Sequence, residues 1–198
     1  MPIVPDEPIV PDEKDWTWVL ERPCPECGFD ATTAAPSAIV GLIRDNATRW
    51  RPLLTHPAVH ERPNEATWSG LEYACHVRDV YHLYDQRLGW MLTQDDPTFP
   101  NWDQDATAVD DRYREQRPDS VATELEAAAA ALSASFDAVT GDGWSRTGNR
   151  SDGARFTVDT FARYLVHDPI HHVWDVEQGY AAIAAPGAPP ASDNGETA

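Results

Sequence analysis

Lysine is almost missing from this chain: Lys14 stands alone among 198 residues, and 15 basic side chains face 33 acidic ones for a net charge of −18. Such an excess of negative charge excludes non-specific attraction to nucleic acid or to an anionic membrane surface. Cysteine is scarce as well. Three of them, an odd count, do not make a disulfide framework, and a reducing, cytoplasmic setting is the simplest expectation. No apolar run approaches the roughly 18 residues needed to span a bilayer, and the acidic, proline-rich N-terminus does not read as a signal peptide. Long period-2 alternation is also lacking, so nothing in the pattern asks for an extensive sheet.

What the chain does have is helical periodicity. One stripe comprises Ile39, Ile43, Ala47, Trp50 and Leu54, entered through Pro36-Ser37 and stopped before Pro57, with Pro52 placed to kink or end it early. A second runs from Tyr73 through Val77, Val80, Tyr84 and Leu88 to Met91, entered at Thr67 or Ser69. The third follows Pro118-Asp119-Ser120 from Val121 to Val139 and ends at Gly141. The fourth starts at a Thr157 cap and passes Phe161, Tyr164, Leu165, Ile170 and Trp174 to Gly179. One core shared by four such stripes predicts an all-α, four-helix bundle. Links of roughly 12 to 25 residues are long for an up-down bundle, so at least one is expected to cross a bundle end.

The length suits one domain, expected over residues 16–182. Residues 2–7, PIVPDE, recur unchanged at 8–13. A repeat this rich in proline and acid has no face to bury, so 1–15 reads as a disordered tail, as does the Ala/Pro/Gly-rich stretch 183–198.

Histidine carries the chemical signal. His167 and His171 are i and i+4 on the fourth helix, stacked on one face, a spacing that suits two imidazoles converging on one metal. His76 shares the inward stripe of the second helix with Tyr73 and Val80. Burying three imidazoles without a shared partner is costly, and a metal supplies that partner; a hydrogen-bonded core histidine is the other reading of any one of them. His172 sits about 100° around the helix from His171, so the two cannot point at the same spot. The middle of the pair reads Asp168-Pro169-Ile170, so this is not the HExxH of zinc proteases. Pro169 removes a helical hydrogen bond to Leu165 and is placed to kink the helix. His56, His60 and His82 carry no spacing signal.

With one histidine on helix two and a helix-four segment of the form HDxxHH, residues 36–180 resemble the DinB-like superfamily of metal-binding four-helix proteins. The segment from Trp16 through CPECGFDA is similar to an actinobacterial branch of it. The resemblance implies His76, His167 and His171 as the metal ligands. It also implies a divalent ion, zinc first, with nickel or iron as substitutes. Its mycothiol- and bacillithiol-dependent members transfer a thiol onto electrophiles, while others are hydrolases or lack an assigned activity. The expected function is therefore a metal-dependent thiol S-transferase with mycothiol as cosubstrate, which the GC-rich look of the composition favours. A metal-dependent hydrolase and a non-catalytic metal-binding protein are the alternatives. Three neutral imidazoles would leave the ion its full charge and an open position, the plan of a catalytic site. The expected partners are a small-molecule thiol and an electrophile, with a homodimer left open.

Tyr164, Trp174 and Arg155 are candidates for contact with substrate. Trp16, Trp18 and Trp68 are further candidates for pocket walls. Asp79, Asp168 and Asp175 could orient ligand imidazoles. Cys24-Pro-Glu-Cys27-Gly resembles half of a zinc knuckle, but no second CxxC exists to complete it. Its cysteines are expected to be reduced thiols packed on the bundle, and Cys75 a small core residue.

Overall fold

A computed structural model describes residues 15–185, so the repeat and most of the C-terminal tail lie outside the described residues. Four long helices follow the four stripes: α1 (Pro36–Leu54), α2 (Gly70–Thr93), α4 (Pro118–Asp137) and α5 (Val158–Ala184), with a short α3 (Gln104–Asp110) between the second and third of them. Pro36 and Pro118 open their helices where a missing N–H costs nothing. Ser69 caps α2 in a reciprocal box with Glu72, and Thr157 caps α5 in the same way with Thr160. Pro52 does not end α1, because it falls in the last turn, where few hydrogen bonds remain to be lost. The helix α5 likewise runs through Pro169 and past Gly179 into residues 183–184, further than the sequence suggested.

The chain order is not the packing order. Both α4 and α5 pack against α1 and α2, whereas α1 and α2, successive in sequence, share a smaller contact across the bundle. Long links make this possible by crossing the bundle ends. Two of them also pair with one another. Strand β1 (Thr98–Phe99) runs parallel to β2 (Thr147–Arg150), which pairs antiparallel with β3 (Arg155–Thr157). Strands this short carry no readable period, so no pattern in the chain announces them. Gly148 is required in β2, since a Cβ there would stand 2.8 Å from the Met91 side chain and 2.9 Å from the Phe99 ring. Arg146, just before β2, donates through Nε to the Met91 carbonyl at 2.5 Å and through a second nitrogen to Gln94, satisfying the open end of α2. Among the described residues, no helix is long and apolar enough to cross a membrane.

Two polar groups inside the bundle fix its registers. Asn46 of α1 donates to the carbonyl of Pro169 at 2.8 Å and accepts from Trp50 Nε1 at 2.9 Å and from the Tyr81 hydroxyl at 2.8 Å. One amide thus ties α1, α2 and α5 together with its partners satisfied. Glu72 is 1% exposed and accepts from the Ser69 backbone, the Ser69 hydroxyl and Arg62. Burial works to raise its carboxyl pKa, but Arg62 and Ser69 outweigh it and hold the group below its ordinary 4.5. A depressed folded pKa contributes stability that is full above the unfolded value and is lost as pH falls through the folded one. The variant Glu72→Gln should therefore be less stable than the parent at neutral pH by about 2–4 kcal/mol. That gap should close as pH drops below 4.5, read as urea midpoints at several pH values.

Candidate metal centre

The stretch of α5 from His167 to Asp175 supplies most of the chemistry, and its geometry follows from the helical step. Successive residues are rotated by about 100°, so the pairs 167/171 and 168/172 form two parallel columns facing different directions. The structure uses both columns. His76, Asp168 and His172 gather with one donor atom each, all within 4.8 Å of one another, and Cys24, Cys27, His167 and His171 gather on the same terms. The three histidines expected to share an ion are therefore divided: His76 meets the 168/172 column, and His167 and His171 meet the N-terminal cysteines. The physical reason is the packing of α2, which sets His76 opposite the column one residue further along.

In the first cluster, His76 Nε2 lies 3.7 Å from Asp168 Oδ2 and His172 Nε2 lies 3.5 Å from Asp168 Oδ1. Neither nitrogen of His76 has a hydrogen-bond partner, although the residue is 1% exposed, and Asp168 Oδ2 is also without one. Orphaned polar atoms of this kind are expensive, and here three groups able to ligate a cation converge on one point. His76 is clamped between Trp102, stacked at 5.3 Å between centroids, and Trp68 at 5.2 Å. His172 Nδ1 lies 2.8 Å from Asp175 Oδ2, which leaves Nε2 facing the cluster, the arrangement a carboxylate imposes on a ligating histidine. Burial lowers the pKa of His76; the same burial opposes charge on His172, but Asp168 and Asp175 prevail and raise it to about 10. Asp168 is pulled well below the usual carboxylate range by His172 and His76, against the effect of burial. Two imidazoles and a carboxylate with free donor atoms fit a divalent cation, which would have to displace the proton on His172.

The second cluster closes over α5 from the N-terminal side. Residues Trp16–Leu20 form a 3-10 turn lying against α5, and the chain then tightens at Cys24-Pro-Glu-Cys27. Gly28 N–H donates to the Cys24 carbonyl at 3.0 Å, Cys24 N–H to the Phe29 carbonyl at 2.9 Å, and Gly28 sits at φ +73° as such a turn demands. Cys24 Sγ lies 3.6 Å from His171 Nδ1, and His167 Nε2 is buried without a partner. Burial raises the Cys27 thiol to about 11, although the Phe29 N–H acts to lower it. Burial lowers His167 to about 4, with His171 adding repulsion.

Both clusters border a cleft of about 550 Å³ whose lining includes Trp16, Trp68, Trp102 and Tyr164. Of the residues expected to touch substrate, Tyr164 lines it. Trp174 packs at a tilt against His171, 5.5 Å between centroids, and is not part of the lining. Arg155 is not part of that lining either: it occupies an outward position of β3, pairs with Asp96 at 3.2 Å, and leaves the inward place to Phe156. Arg150 lines the cleft instead, bonded to Asp152 at 2.7 Å and to the Tyr164 hydroxyl at 3.2 Å. Arg87 lines it too; it is buried, donates to the Pro100 carbonyl at 2.7 Å, and its Nε has no partner. Asp79 is engaged by Arg78 and Tyr113 rather than by a ligand histidine. Cys75 is a core residue near Gln116, its thiol pushed by burial to about 12. His82 and His60 are exposed, and His56 stacks on Tyr180 at 3.9 Å.

No protein-family model matches the sequence, and no curated protein matches it. Among solved structures, YfiT from Bacillus subtilis superposes with a TM-score of 0.68 at 13% identity, covering 75% of this chain and 87% of that one. This chain therefore shares the four-helix bundle fold of that protein. YfiT is described as a probable metal-dependent hydrolase with an unusual four-helix bundle topology.

The orphaned His76 gives a test that needs no activity. In metal-free protein, His76→Leu should raise stability by about 1–2 kcal/mol, because it removes two unsatisfied buried nitrogens. The same change should abolish the stabilisation that added divalent metal confers on the parent, read as a shift in unfolding midpoint. A loss of apo stability would mean that His76 has a partner in the protein.

Proposed function

We propose that the chain is a metal-dependent enzyme that transfers a low-molecular-weight thiol, mycothiol in the first instance, to a small electrophile. One observation carries the reading: His76, Asp168 and His172 present free donor atoms at an aromatic-lined cleft, fewer than a cation needs to fill its coordination shell. A divalent ion held there would supply Lewis acidity and stabilise a thiolate. Zinc and ferrous iron both suit two imidazoles and a carboxylate.

The remaining roles belong to residues of this chain. Asp175 holds the His172 ring with Nε2 toward the cluster. Trp68 and Trp102 clamp His76 and offer apolar surface to the electrophile. Arg87, with its unpaired Nε, and Arg150 put two guanidinium groups on the cleft wall, which suits an electrophile bearing an anionic group. The choice of mycothiol rests on the resemblance and on the composition.

A second reading is favoured by the fold shared with YfiT: with water in place of the thiol, the same cleft would serve a hydrolase. One assay series separates them. Protein loaded with zinc or iron should accelerate conjugation of mycothiol to a haloalkyl or bimane-type electrophile, faster for an anionic electrophile than for its neutral isostere. Asp168→Ala and His172→Ala should fall to the uncatalysed rate. Turnover of esters or amides without any thiol, and none with mycothiol, would hand the site to the hydrolase reading. Inertness toward both classes would leave a binding protein.

A further inference from the structure

The cluster of Cys24, Cys27, His167 and His171 has no part in the function proposed above, yet it is the most completely assembled donor set in the described residues. We infer that it is a second, separate metal site: a closed Cys2His2 zinc centre that fastens the N-terminal segment to α5.

Its chemistry is that of a structural site. Four donors of the two types zinc prefers lie within 4.8 Å of one another, with Cys24, His167 and His171 buried and Cys27 half-buried. Zinc bonds of this kind give ligand-to-ligand edges of about 3.3–3.8 Å in a tetrahedron, and Cys24 Sγ already stands 3.6 Å from His171 Nδ1. His167 is 4% exposed and its Nε2 has no partner. The other nitrogen of His171, Nε2, lies 3.5 Å from Glu26 Oε2 and 3.7 Å from Asp175 Oδ1, where carboxylates orient a ligating imidazole. The tight turn around Gly28 presents both sulfurs from one loop, as a knuckle does. Binding displaces one proton from each thiol, and two thiolates then neutralise the dication, so a zinc ion adds no net charge to a buried place. With four protein donors no coordination position is left for a substrate, which separates this site from the three-donor cluster.

The consequence is mechanical. Trp16 lies 5.7 Å from the His167 ring and 5.1 Å from His171, and it walls the cleft together with Glu26. Zinc at the four donors would anchor the loop that carries both.

The test uses the full chain, purified under reducing conditions and reconstituted with zinc. A thiol-specific mercurial should release one zinc equivalent into a chromophoric chelator, from the parent and equally from a His76→Ala/Asp168→Ala variant. The Cys24→Ser/Cys27→Ser variant should release none to the mercurial while still binding metal at the other cluster. Cobalt-loaded parent protein should show thiolate-to-cobalt charge-transfer absorption with tetrahedral intensity, lost in the cysteine variant. If that variant does not fold, the mercurial and cobalt readings on the parent decide alone. Rapid alkylation of Cys24 and Cys27 in zinc-treated native protein, with no metal released, would overturn the inference. So would a Cys24–Cys27 disulfide in the reduced-purified chain. Because the His76→Ala/Asp168→Ala variant reports on the other cluster, failure of either site is seen separately.

Discussion

The pitch of one helix governs the chemistry of this molecule. A step of about 100° per residue means that neighbours in the segment His167-Asp168 and His171-His172 serve different directions. Each column alone is an ordinary i, i+4 pair. Offset by one residue on a helix that touches both α2 and the N-terminal segment, the two columns become halves of two separate clusters. Pro169 lies between them, and its carbonyl is held by Asn46 of α1 rather than left to solvent. That contact fixes the rotation of the turn, and rotation is the one freedom that would swap the columns.

The columns find partners because the bundle is wired across its diagonal. If the helices packed in chain order, α2 would have α1 and α4 beside it. Here α2 lies between α4 and α5, so His76 stands opposite Asp168 and His172 although some ninety residues separate them. The cost of this wiring is long links, and the protein uses them: one carries α3 and Trp102, and another folds the β2–β3 hairpin that delivers Arg150 to the cleft and the Thr157 cap to α5. The connections therefore supply cleft walls while the helices supply donors.

This division explains what could be read from the sequence. The helices were legible because apolar residues repeat at helical spacing and their caps are ordinary: Pro36, Ser69, Pro118 and Thr157 all open helices as their residue types lead one to expect. That His76 faces inward and that His171 and His172 part company were legible from the same periodicity. Which column His76 joins was not. Two imidazoles at i, i+4 outrank a carboxylate and an imidazole on residue type alone, and only the relative rotation of α2 and α5 decides between them. Cys24 and Cys27 looked like half of a site because their partners lie on α5, far along the chain and of another residue type. The sheet escaped because two- to four-residue strands have no period to read.

Asp175 joins the two clusters into one electrostatic unit. Its Oδ2 holds His172 Nδ1 at 2.8 Å, while its Oδ1 stands 3.7 Å from His171 Nε2. A single carboxylate can lend charge to both imidazoles, but what it lends to one it cannot lend fully to the other. With zinc on Nδ1, the Nε2–H of His171 would be a stronger donor, and Glu26 Oε2 at 3.5 Å would share that demand with Asp175, whose Oδ2 stays on His172. Without it, His171 would be held less firmly, and Trp16, edge-to-face with that ring at 5.1 Å between centroids, would have less to rest on. A closed neutral site beside an open charged one would thus be a coherent arrangement: the first would steady the wall and the ring geometry on which the second depends.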